Sequence, residues 1–224
     1  MNSNNMLHAC IFDLDGVLVD TAIYHYKAWK RLANELGFDF THDQNEQLKG
    51  ISRMDSLDKI LKWGNIQVSQ ETKIELAEKK NTWYVQMISS MSTDEVLPGA
   101  KKLLDAIRES GLKCALGSAS RNSSLILDRT SLSSYFDVIV DGNSVTSSKP
   151  DPEVFLKGAT LLGVNPSNCI VFEDGIAGVM AAISAGMKVI GIGRLEVLKM
   201  ADLVVGGLDQ IELLTLKELF NKEP

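Results

Sequence analysis

The sequence Ala-Cys-Ile-Phe-Asp-Leu-Asp-Gly at residues 9–16 is the stretch around which the rest of the chain can be interpreted. Four apolar residues lead directly into Asp13, Leu14 and Asp15, and Gly16 ends the run. A short apolar run closed by an acid and a glycine is typical of a buried parallel strand that ends in a tight turn. Both carboxylates would then stand at the carboxyl end of the strand, where ligands bind in open α/β sheets. Acid-rich turns also occur without any function, so the meaning of this stretch depends on the rest of the chain.

The composition is that of an ordinary globular protein. The chain has 224 residues, of which 45% are hydrophobic and 23% charged, and its formal net charge is −6. This length allows one large core, or one core with a small second unit. The acidic balance argues against a nucleic-acid partner held by a broad basic surface. A small phosphorylated substrate held by a few cations remains compatible with it.

The cysteines and the N-terminus indicate a cytoplasmic protein. Each cysteine lies in an apolar run and none has the spacing of a metal site, so we predict reduced core residues at Cys10, Cys114 and Cys169. Residues 1–8 contain no apolar signal core, which predicts that no secretion signal is present. No apolar run approaches the roughly 18 residues that a membrane span requires, so we expect no membrane partner.

Residues 21–91 have a helical pattern with no strand signal. Mostly apolar side chains recur at spacings of three and four over residues 22–36, and we predict a further helix over about 70–91. Between them, Ser52 is followed three positions later by Asp55, a pattern similar to a capping box that predicts the start of another helix. The pattern indicates a separate small helical unit.

The sequence pattern changes at Val96, after which predicted helices and strands alternate, as they do in proteins with parallel sheets. We therefore predict an α/β core with a Rossmann-like parallel sheet flanked by helices, and an inserted small helical cap. The core would comprise residues 1–20 and 93–224, and the cap residues 21–92. The strands predicted after the first one are 112–117, 138–140, 169–172, 188–192 and 203–205.

Several polar side chains stand at or just after the ends of predicted strands. They are Asp13, Asp15, Ser118, Lys149, Glu173 and Asp174. The carboxyl ends of parallel strands share one edge, so these residues should meet there although they are far apart in sequence. The helical unit is inserted directly after the first of them, where it is placed to act as a lid.

This set of residues favours phosphoryl transfer. Four acids at one point repel one another unless a cation neutralises them, and an all-oxygen site suits Mg²⁺. Lys149 can offset the same acids and contact a phosphoryl group, and Ser118 with the following backbone N–H groups can hold phosphoryl oxygens. A carboxylate can act as the nucleophile. Asp15 is placed to exchange a proton with the attacking or leaving oxygen.

Four motifs in this order resemble those of the haloacid-dehalogenase superfamily of phosphoryl-transfer enzymes. They are Asp13-Leu-Asp-Gly-Val, Ser118-Ala-Ser, Lys149-Pro and Glu173-Asp-Gly. The match covers the whole core, and the helical unit resembles the small helical cap of that superfamily.

Within the superfamily, the cap motifs resemble the β-phosphoglucomutase branch. They are Asp-Thr-Ala-x-Tyr-His-Tyr-x-Ala-Trp at 20–29, Asn-Glu-Gln-Leu-Lys-Gly-Ile-Ser-Arg-x-Asp-Ser-Leu at 45–57 and Lys-Lys-Asn at 79–81, with Gly-Ser-Ala-Ser-Arg-Asn at 117–122 and Ser-Lys-Pro at 148–150 in the core. The resemblance implies an Mg²⁺-dependent interconversion of β-D-glucose 1-phosphate and glucose 6-phosphate. It implies an aspartyl-phosphate enzyme and β-glucose 1,6-bisphosphate as intermediate. The partner would be a small sugar phosphate, and the enzyme a monomer.

The resemblance also implies roles in the core. Asp13 would be the phosphorylated nucleophile and Asp15 the general acid/base. Mg²⁺ would be held by Asp13, the Asp15 carbonyl and Asp174, with Glu173 beside it. The residues implied for the transferring phosphoryl group are Ser118, Ala119 and Lys149.

The remaining implied roles concern the sugar and the cap. The residues for the second phosphate are Arg53, Ser120, Arg121 and Asn122. The residues that would link cap closure to sugar binding are His25, Lys49, Gly50 and Lys80, with Thr21 and Trp29 at the hinge and the cap side of the cleft. Gly117 and Arg121 stand where we would expect Ala and Lys. We expect the first difference to be near neutral, whereas the second keeps the charge and can alter phosphate geometry.

Plainer interpretations stand beside these. His25 alone reads as a core or surface histidine, Lys49 and Arg53 as solvated charges at a helix start, and Trp29 as cap packing. Lys80, on a lysine-rich helix face, has the weakest claim to function. Two other functions stay open: a sugar-phosphate phosphatase of the same superfamily, which must admit water, and a non-catalytic sugar-phosphate-binding protein.

Overall fold

The computed structural model describes residues 6–221, and its central element is a parallel sheet of six strands in the order β3-β2-β1-β4-β5-β6. The strands are β1 (Ala9–Phe12), β2 (Lys113–Gly117), β3 (Val138–Val140), β4 (Cys169–Glu173), β5 (Lys188–Ile192) and β6 (Leu203–Val205). Every residue of β1 and β4 is buried, as expected for central strands covered on both faces.

Successive residues of β1 face opposite layers of helices because side chains alternate along a strand. Cys10 and Phe12 belong to one hydrophobic cluster, and Ala9 and Ile11 to another. The first cluster takes apolar residues of α5 (Ala100–Glu109), α6 (Ser123–Thr130) and α10 (Leu213–Asn221). The second takes those of α7 (Glu153–Leu162), α8 (Ile176–Ser184) and α9 (Leu195–Leu198). The predicted Rossmann-like α/β core is confirmed.

The helical unit that follows β1 has four α-helices, after which α5 leads into β2. They are α1 (Ala22–Glu35), α2 (His42–Glu46), α3 (Arg53–Trp63) and α4 (Gln70–Ile88). As predicted, the Ser52 side chain caps α3 and accepts a hydrogen bond from the Asp55 N–H at 3.2 Å. These helices have their own hydrophobic cluster, centred on Trp29, Phe40 and Leu57.

The base of the helical unit packs on the sheet layers, since Ala28 of α1 and Tyr84 and Ile88 of α4 belong to the cluster that contains Phe12. The separate hydrophobic cluster around Trp29, Phe40 and Leu57 is consistent with a cap domain. Its exact boundaries at residues 20/21 and 92/93 stay a prediction.

The boundaries predicted from sequence differ little from those observed. Helix α4 ends at Ile88 rather than near Met91, and β4 extends through Glu173. Residues 1–5 and residues 222–224 lie outside the described residues. The first of these segments is most of the stretch that was predicted to contain no secretion signal. No helix within residues 6–221 is both long and apolar enough to cross a membrane.

Candidate active site

The acids gather where the strand order reverses. The chain builds the sheet outward from β1 on one side and then from β4 on the other, so the carboxyl ends of β1 and β4 lie next to each other at the switch point. Phe12 and Phe172 are register partners there, with rings stacked at 4.2 Å. Directly beyond them, the Asp13 N–H donates to the Phe172 carbonyl at 3.0 Å. The stack and this hydrogen bond place Asp13 beside Glu173 and Asp174.

Lys149 lies between two of these acids. Its Nζ is 2.6 Å from Asp13 Oδ1 and 2.6 Å from Glu173 Oε1, although Asp13 is 136 positions away in sequence. The side chain is 2% exposed. Burial by itself disfavours the ammonium, but the negative charges of Asp13 and Glu173 hold the pKa of Lys149 above its usual value. The lysine therefore remains a buried cation. Its peptide bond to Pro150, which the sequence left undetermined, is cis.

Glu173 is fully buried, and both of its oxygens have partners. Lys149 donates to Oε1, and the Gly175 N–H donates to Oε2 at 2.7 Å. Gly178 of α8 makes room for this carboxylate, since a Cβ there would lie 1.8 Å from Oε1. The predicted place of Glu173 among the acids is confirmed. To act as a metal ligand, Glu173 would have to share an oxygen that already accepts a hydrogen bond.

The other two acids are held by residues at the entrance to the cap. The Thr21 hydroxyl donates to Asp15 Oδ1. Lys49 Nζ reaches Asp174 Oδ2 at 2.9 Å, so that a cap residue contacts the core directly. Gly16, with a φ of +84°, lets Asp174 approach, because a Cβ at this position would lie 2.1 Å from Asp174 Oδ2. This close approach is the physical reason for a glycine in the Asp-x-Asp-Gly motif.

The site is short of positive charge. Asp13, Glu173 and Asp174 share two cations, Lys149 and Lys49, and Asp15 adds a fourth carboxylate that is held by the Thr21 hydroxyl. Burial raises the pKa of Asp13 well above its usual value, and Glu173, Asp15 and Asp174 add to the rise against the influence of Lys149. Burial, opposed by Lys49, raises the pKa of Asp174 to about 7. Within residues 6–221 no three His, Cys, Asp or Glu side chains are grouped so as to hold a metal ion. The donors are nevertheless all oxygens, and their mutual repulsion suits a further hard cation.

The turn after β2 forms a loop that is held by its own hydrogen bonds. The Ser118 side chain is buried and accepts a hydrogen bond from the Ser120 N–H at 3.1 Å. Ser120 in turn accepts at 3.2 Å from the N–H of Asn122, which precedes α6. A neighbouring strand end supports this loop: the Gly142 N–H donates to the Ser120 carbonyl at 3.1 Å, and Asn143 donates to the Arg121 carbonyl at 3.0 Å. The predicted phosphate-binding stretch is thus a braced loop at the same edge as the acids.

The cap contributes a buried group of rings around the amine of Lys80. Lys80 is 2% exposed, with its Nζ 4.4 Å from the ring centre of Trp29 and 4.6 Å from that of Tyr84. The same nitrogen is 3.0 Å from His25 Nδ1. Burial, with Lys80 and Arg53 nearby, lowers the pKa of His25 well below its usual value, so the imidazole is neutral and can accept from Lys80. Burial and the nearby charge of Arg53 also lower the pKa of Lys80 well below its usual value, against the influence of Asp15. Lys80, which had the weakest claim from sequence, is therefore a buried amine that faces the cleft, and Trp29 both packs the cap and contacts it.

Arg53 and Arg121 face each other across the cleft. Burial lowers the pKa of Arg53, and the positive charge of Arg121 lowers it further. In the described part of the chain, neither guanidinium forms an ion pair with an acid. Two guanidiniums without an ion-pair partner are suited to a dianion such as a phosphate group.

Most of these groups line one cleft of about 740 Å³ between the helical unit and the sheet edge, and Thr21 and Glu173 contact its lining through Asp15 and Lys149. Three cap-to-core contacts close its rim. Besides the ion pair of Lys49, the Ser148 hydroxyl donates to Asp55, and Asn122 donates to Asn81 Oδ1 at 3.0 Å. Gly50 brings the cap backbone near the start of α8, where a Cβ would stand 3.6 Å from the Gly178 nitrogen. The cleft volume is in the usual range for small-molecule sites.

Of the predicted site residues, the structure brings every one to this cleft or to a contact with its lining. Sequence reasoning gave no role to Tyr84, Asn81 or Ser148, although the last two fall inside quoted motifs. Tyr84 follows Lys80 by four positions on α4, a helical spacing that could have indicated a shared face.

The absence of a side chain at Gly117 matters more for packing than predicted. A Cβ there would lie 2.9 Å from the ring of Phe155, and that ring lies 4.7 Å below the Lys149 nitrogen. In this chain the phenylalanine occupies the space that an alanine side chain would need.

The chain belongs to the haloacid dehalogenase-like hydrolase family, whose sequence profile matches residues 10–192. It is 41% identical to a β-phosphoglucomutase of Bacillus subtilis over 95% of both chains. A crystal structure of β-phosphoglucomutase from Clostridium difficile superposes with a TM-score of 0.93 at 45% identity, covering 96% of this chain and 98% of that one. The chain is also 33% identical to a Thermotoga maritima phosphorylated carbohydrates phosphatase, over 81% of this chain and 83% of that protein.

Proposed function

We propose that the protein is a β-phosphoglucomutase that interconverts β-D-glucose 1-phosphate and glucose 6-phosphate. The observation that carries this proposal is that two separate groups of cations and polar side chains, each suited to a phosphate group, lie in one cleft. Lys149 and the Ser118 loop stand beside Asp13, and the guanidiniums of Arg53 and Arg121 form a second anion site. A mutase must hold a sugar bisphosphate at both ends, whereas hydrolysis of a monoester needs one site only. The likeness to β-phosphoglucomutases over nearly the whole chain agrees with this.

In the proposed mechanism Asp13 carries the phosphoryl group. Its Oδ1 accepts a hydrogen bond from Lys149, which leaves Oδ2 for the bond to phosphorus. A sugar hydroxyl attacks that phosphorus, the bond to Asp13 Oδ2 breaks, and the proton of the hydroxyl passes to Asp15. The resulting bisphosphate is held at its other end by Arg53 and Arg121. It then returns its second phosphoryl group to Asp13 after turning over in the cleft, and Asp15 gives the proton back.

The donor set fits Mg²⁺, and we propose that Asp13, the Asp15 carbonyl and Asp174 hold it. A divalent ion there would offset the charge of the transferring phosphoryl group. Glu173, whose oxygens are both engaged, orients Lys149 and the start of α8 in this proposal rather than acting as a ligand.

The cap has to keep water from the aspartyl phosphate, since otherwise the enzyme would act as a phosphatase. The rim contacts of Lys49, Ser148 and Asn122 serve this exclusion. The buried, unpaired cysteines are in keeping with the cytoplasmic location that the sequence predicts.

The test measures glucose 6-phosphate formation from β-glucose 1-phosphate, with Mg²⁺ and a trace of β-glucose 1,6-bisphosphate. Release of inorganic phosphate is followed in the same sample. Isomerisation that greatly exceeds phosphate release supports the mutase. Phosphate release without isomerisation identifies a phosphatase instead, and tight sugar-phosphate binding without either reaction identifies a binding protein.

Replacing Arg53 by Ala is expected to lower isomerisation by about a hundredfold, because one of the two cations that hold the distal phosphate is lost. Phosphate release should fall much less, since it does not depend on the distal phosphate. The measurement is the ratio of the two rates. Arg31→Ala, on the outer face of α1, is the matched control. An equal fall in both rates would contradict the assignment of Arg53 to the second phosphate.

Replacing Gly142 by Ala is expected to lower kcat/KM by about ten- to a hundredfold. The new Cβ would lie 2.4 Å from the Ala119 carbonyl oxygen and push the phosphate-binding loop out of place. Gly158→Ala, in helix α7, is the control, because its Cβ would meet neighbours only at 3.6 Å and beyond. We expect that variant to keep its activity and to gain up to about 1 kcal/mol of stability. Unchanged kcat/KM in Gly142→Ala would show that the loop tolerates the shift.

A further inference from the structure

Tyr84 holds an unused hydrogen-bond donor in the wall of the cleft. The residue is 1% exposed, and its phenol oxygen is the buried side-chain polar atom within residues 6–221 that makes no hydrogen bond. A buried hydroxyl without a partner costs about 1–3 kcal/mol. Native structures seldom keep such a group without a reason, and a ligand is one of the reasons that satisfy it.

The surroundings of the phenol show which partner is missing. The ring is held firmly, with its centre 4.2 Å from that of His25 and the Lys80 nitrogen 4.6 Å from its own centre. The groups near enough to influence the pKa of the hydroxyl are Asp15, the Thr21 hydroxyl, Arg53 and Tyr24. Arg53 has only donors to offer, and Thr21, which gives its proton to Asp15, lies near the phenol without the geometry of a hydrogen bond to it. An acceptor oxygen that lies beside both the phenol and Asp15 would satisfy the phenol.

The phenol also keeps its proton. Burial and the negative charge of Asp15 raise the pKa of Tyr84 well above its usual value, so the group is a donor throughout the physiological pH range. A sugar hydroxyl suits this position, because it can accept one hydrogen bond through its oxygen and donate another through its proton.

We propose that the Tyr84 phenol donates to the reacting hydroxyl of the sugar phosphate and thereby points that hydroxyl's proton at Asp15. This inference rests on the proposed function, and it makes Tyr84 a substrate-contacting residue that orients the attacking oxygen. The phenol gives up no proton in the reaction. Its contribution is to favour the hydroxyl orientation from which Asp15 accepts the proton.

The variant that tests the proposal is Tyr84→Phe, which keeps the ring against His25 and removes only the oxygen. Because that oxygen has no partner in the free protein, the melting temperature is expected to stay the same or rise. We expect kcat/KM for isomerisation to fall about tenfold or more, mainly through kcat. The ratio of phosphate release to isomerisation is expected to rise, because a poorly oriented sugar hydroxyl competes less well with water. The control is Tyr26→Phe, whose hydroxyl accepts from Lys30 elsewhere on the cap, and it should match the wild type.

Three results would overturn the proposal. Unchanged kcat and partition ratio in Tyr84→Phe would show that the oxygen does not touch the substrate. A lower melting temperature, with activity lost only in proportion to unfolded protein, would show that the oxygen is structural. The third result applies if the wild-type protein hydrolyses sugar phosphates and isomerises none, an outcome that by itself disproves the mutase. In that case unchanged hydrolysis by Tyr84→Phe overturns the proposal, and a tenfold loss of hydrolysis supports Tyr84 as a sugar contact.

Discussion

Replacing Asp13 by Asn is expected to reduce isomerisation by about 10⁴-fold or more. The amide cannot form the phosphoenzyme, and removing a nucleophile costs more than any single hydrogen bond in the site. The fold should survive, because Lys149 keeps its partner Glu173 at 2.6 Å and the new amide oxygen can still accept from it. Three measurements check this: the rate, the melting temperature, and the transfer of labelled phosphoryl from the bisphosphate to the protein.

The control variant is Asp137→Asn. Asp137 lies away from the cleft, where its carboxylate accepts a hydrogen bond from the Cys114 N–H on strand β2. That variant should be phosphorylated and active. Retention of more than about one hundredth of the wild-type rate by Asp13→Asn, or phosphoryl transfer to it, would place the nucleophile elsewhere.

Replacing Lys149 by Met is expected to lower stability and activity together. Asp13 and Glu173 would be left as buried carboxylates without a cation, which typically costs about 3–5 kcal/mol of unfolding free energy. Turnover should fall by about 10³-fold, because the ammonium that faces the transferring phosphoryl group is lost. Urea unfolding and the isomerisation assay measure the two effects. Lys73→Met, which breaks an exposed pair with Asp58, should change stability by about 1 kcal/mol or less.

A second variant separates the structural effect from the chemical one. Adding Glu173→Gln to Lys149→Met removes one of the two uncompensated charges, so most of the lost stability should return while the activity stays low. Recovery of both would mean that Lys149 acts only as a structural counter-ion. Failure to recover stability would mean that the burial of charge does not explain the loss.

The sequence was a good guide to the sheet because the evidence for strands is local. Apolar runs and the residues that end them identify β1, β2 and β4 within one or two positions. The meeting of Asp13 with Glu173 and Asp174 was also predictable, since parallel strands share one carboxyl edge. The braced loop at Ser118 followed from the same rule.

Packing within the cap was less predictable. Lys80 lies on a helix face rich in lysines and gave no local sign of burial, yet the rings of Trp29 and Tyr84 enclose it. The difference between Gly and Ala at position 117 was expected to have a near-neutral effect. The sequence carries no information on how close the Phe155 ring comes to this position. Both depend on side chains from distant segments.

The α/β alternation, the inserted helical unit and the set of acids and cations were predictable from the sequence, because they follow from periodicity and from residue type. The pairing of the side chains depended on the fold: Lys149 with Asp13 and Glu173, Lys49 with Asp174, and Tyr84 with no partner. The physical reason is that pairing and desolvation depend on distances of a few ångströms between residues far apart in the chain. Those distances exist only after the helices and the sheet have packed.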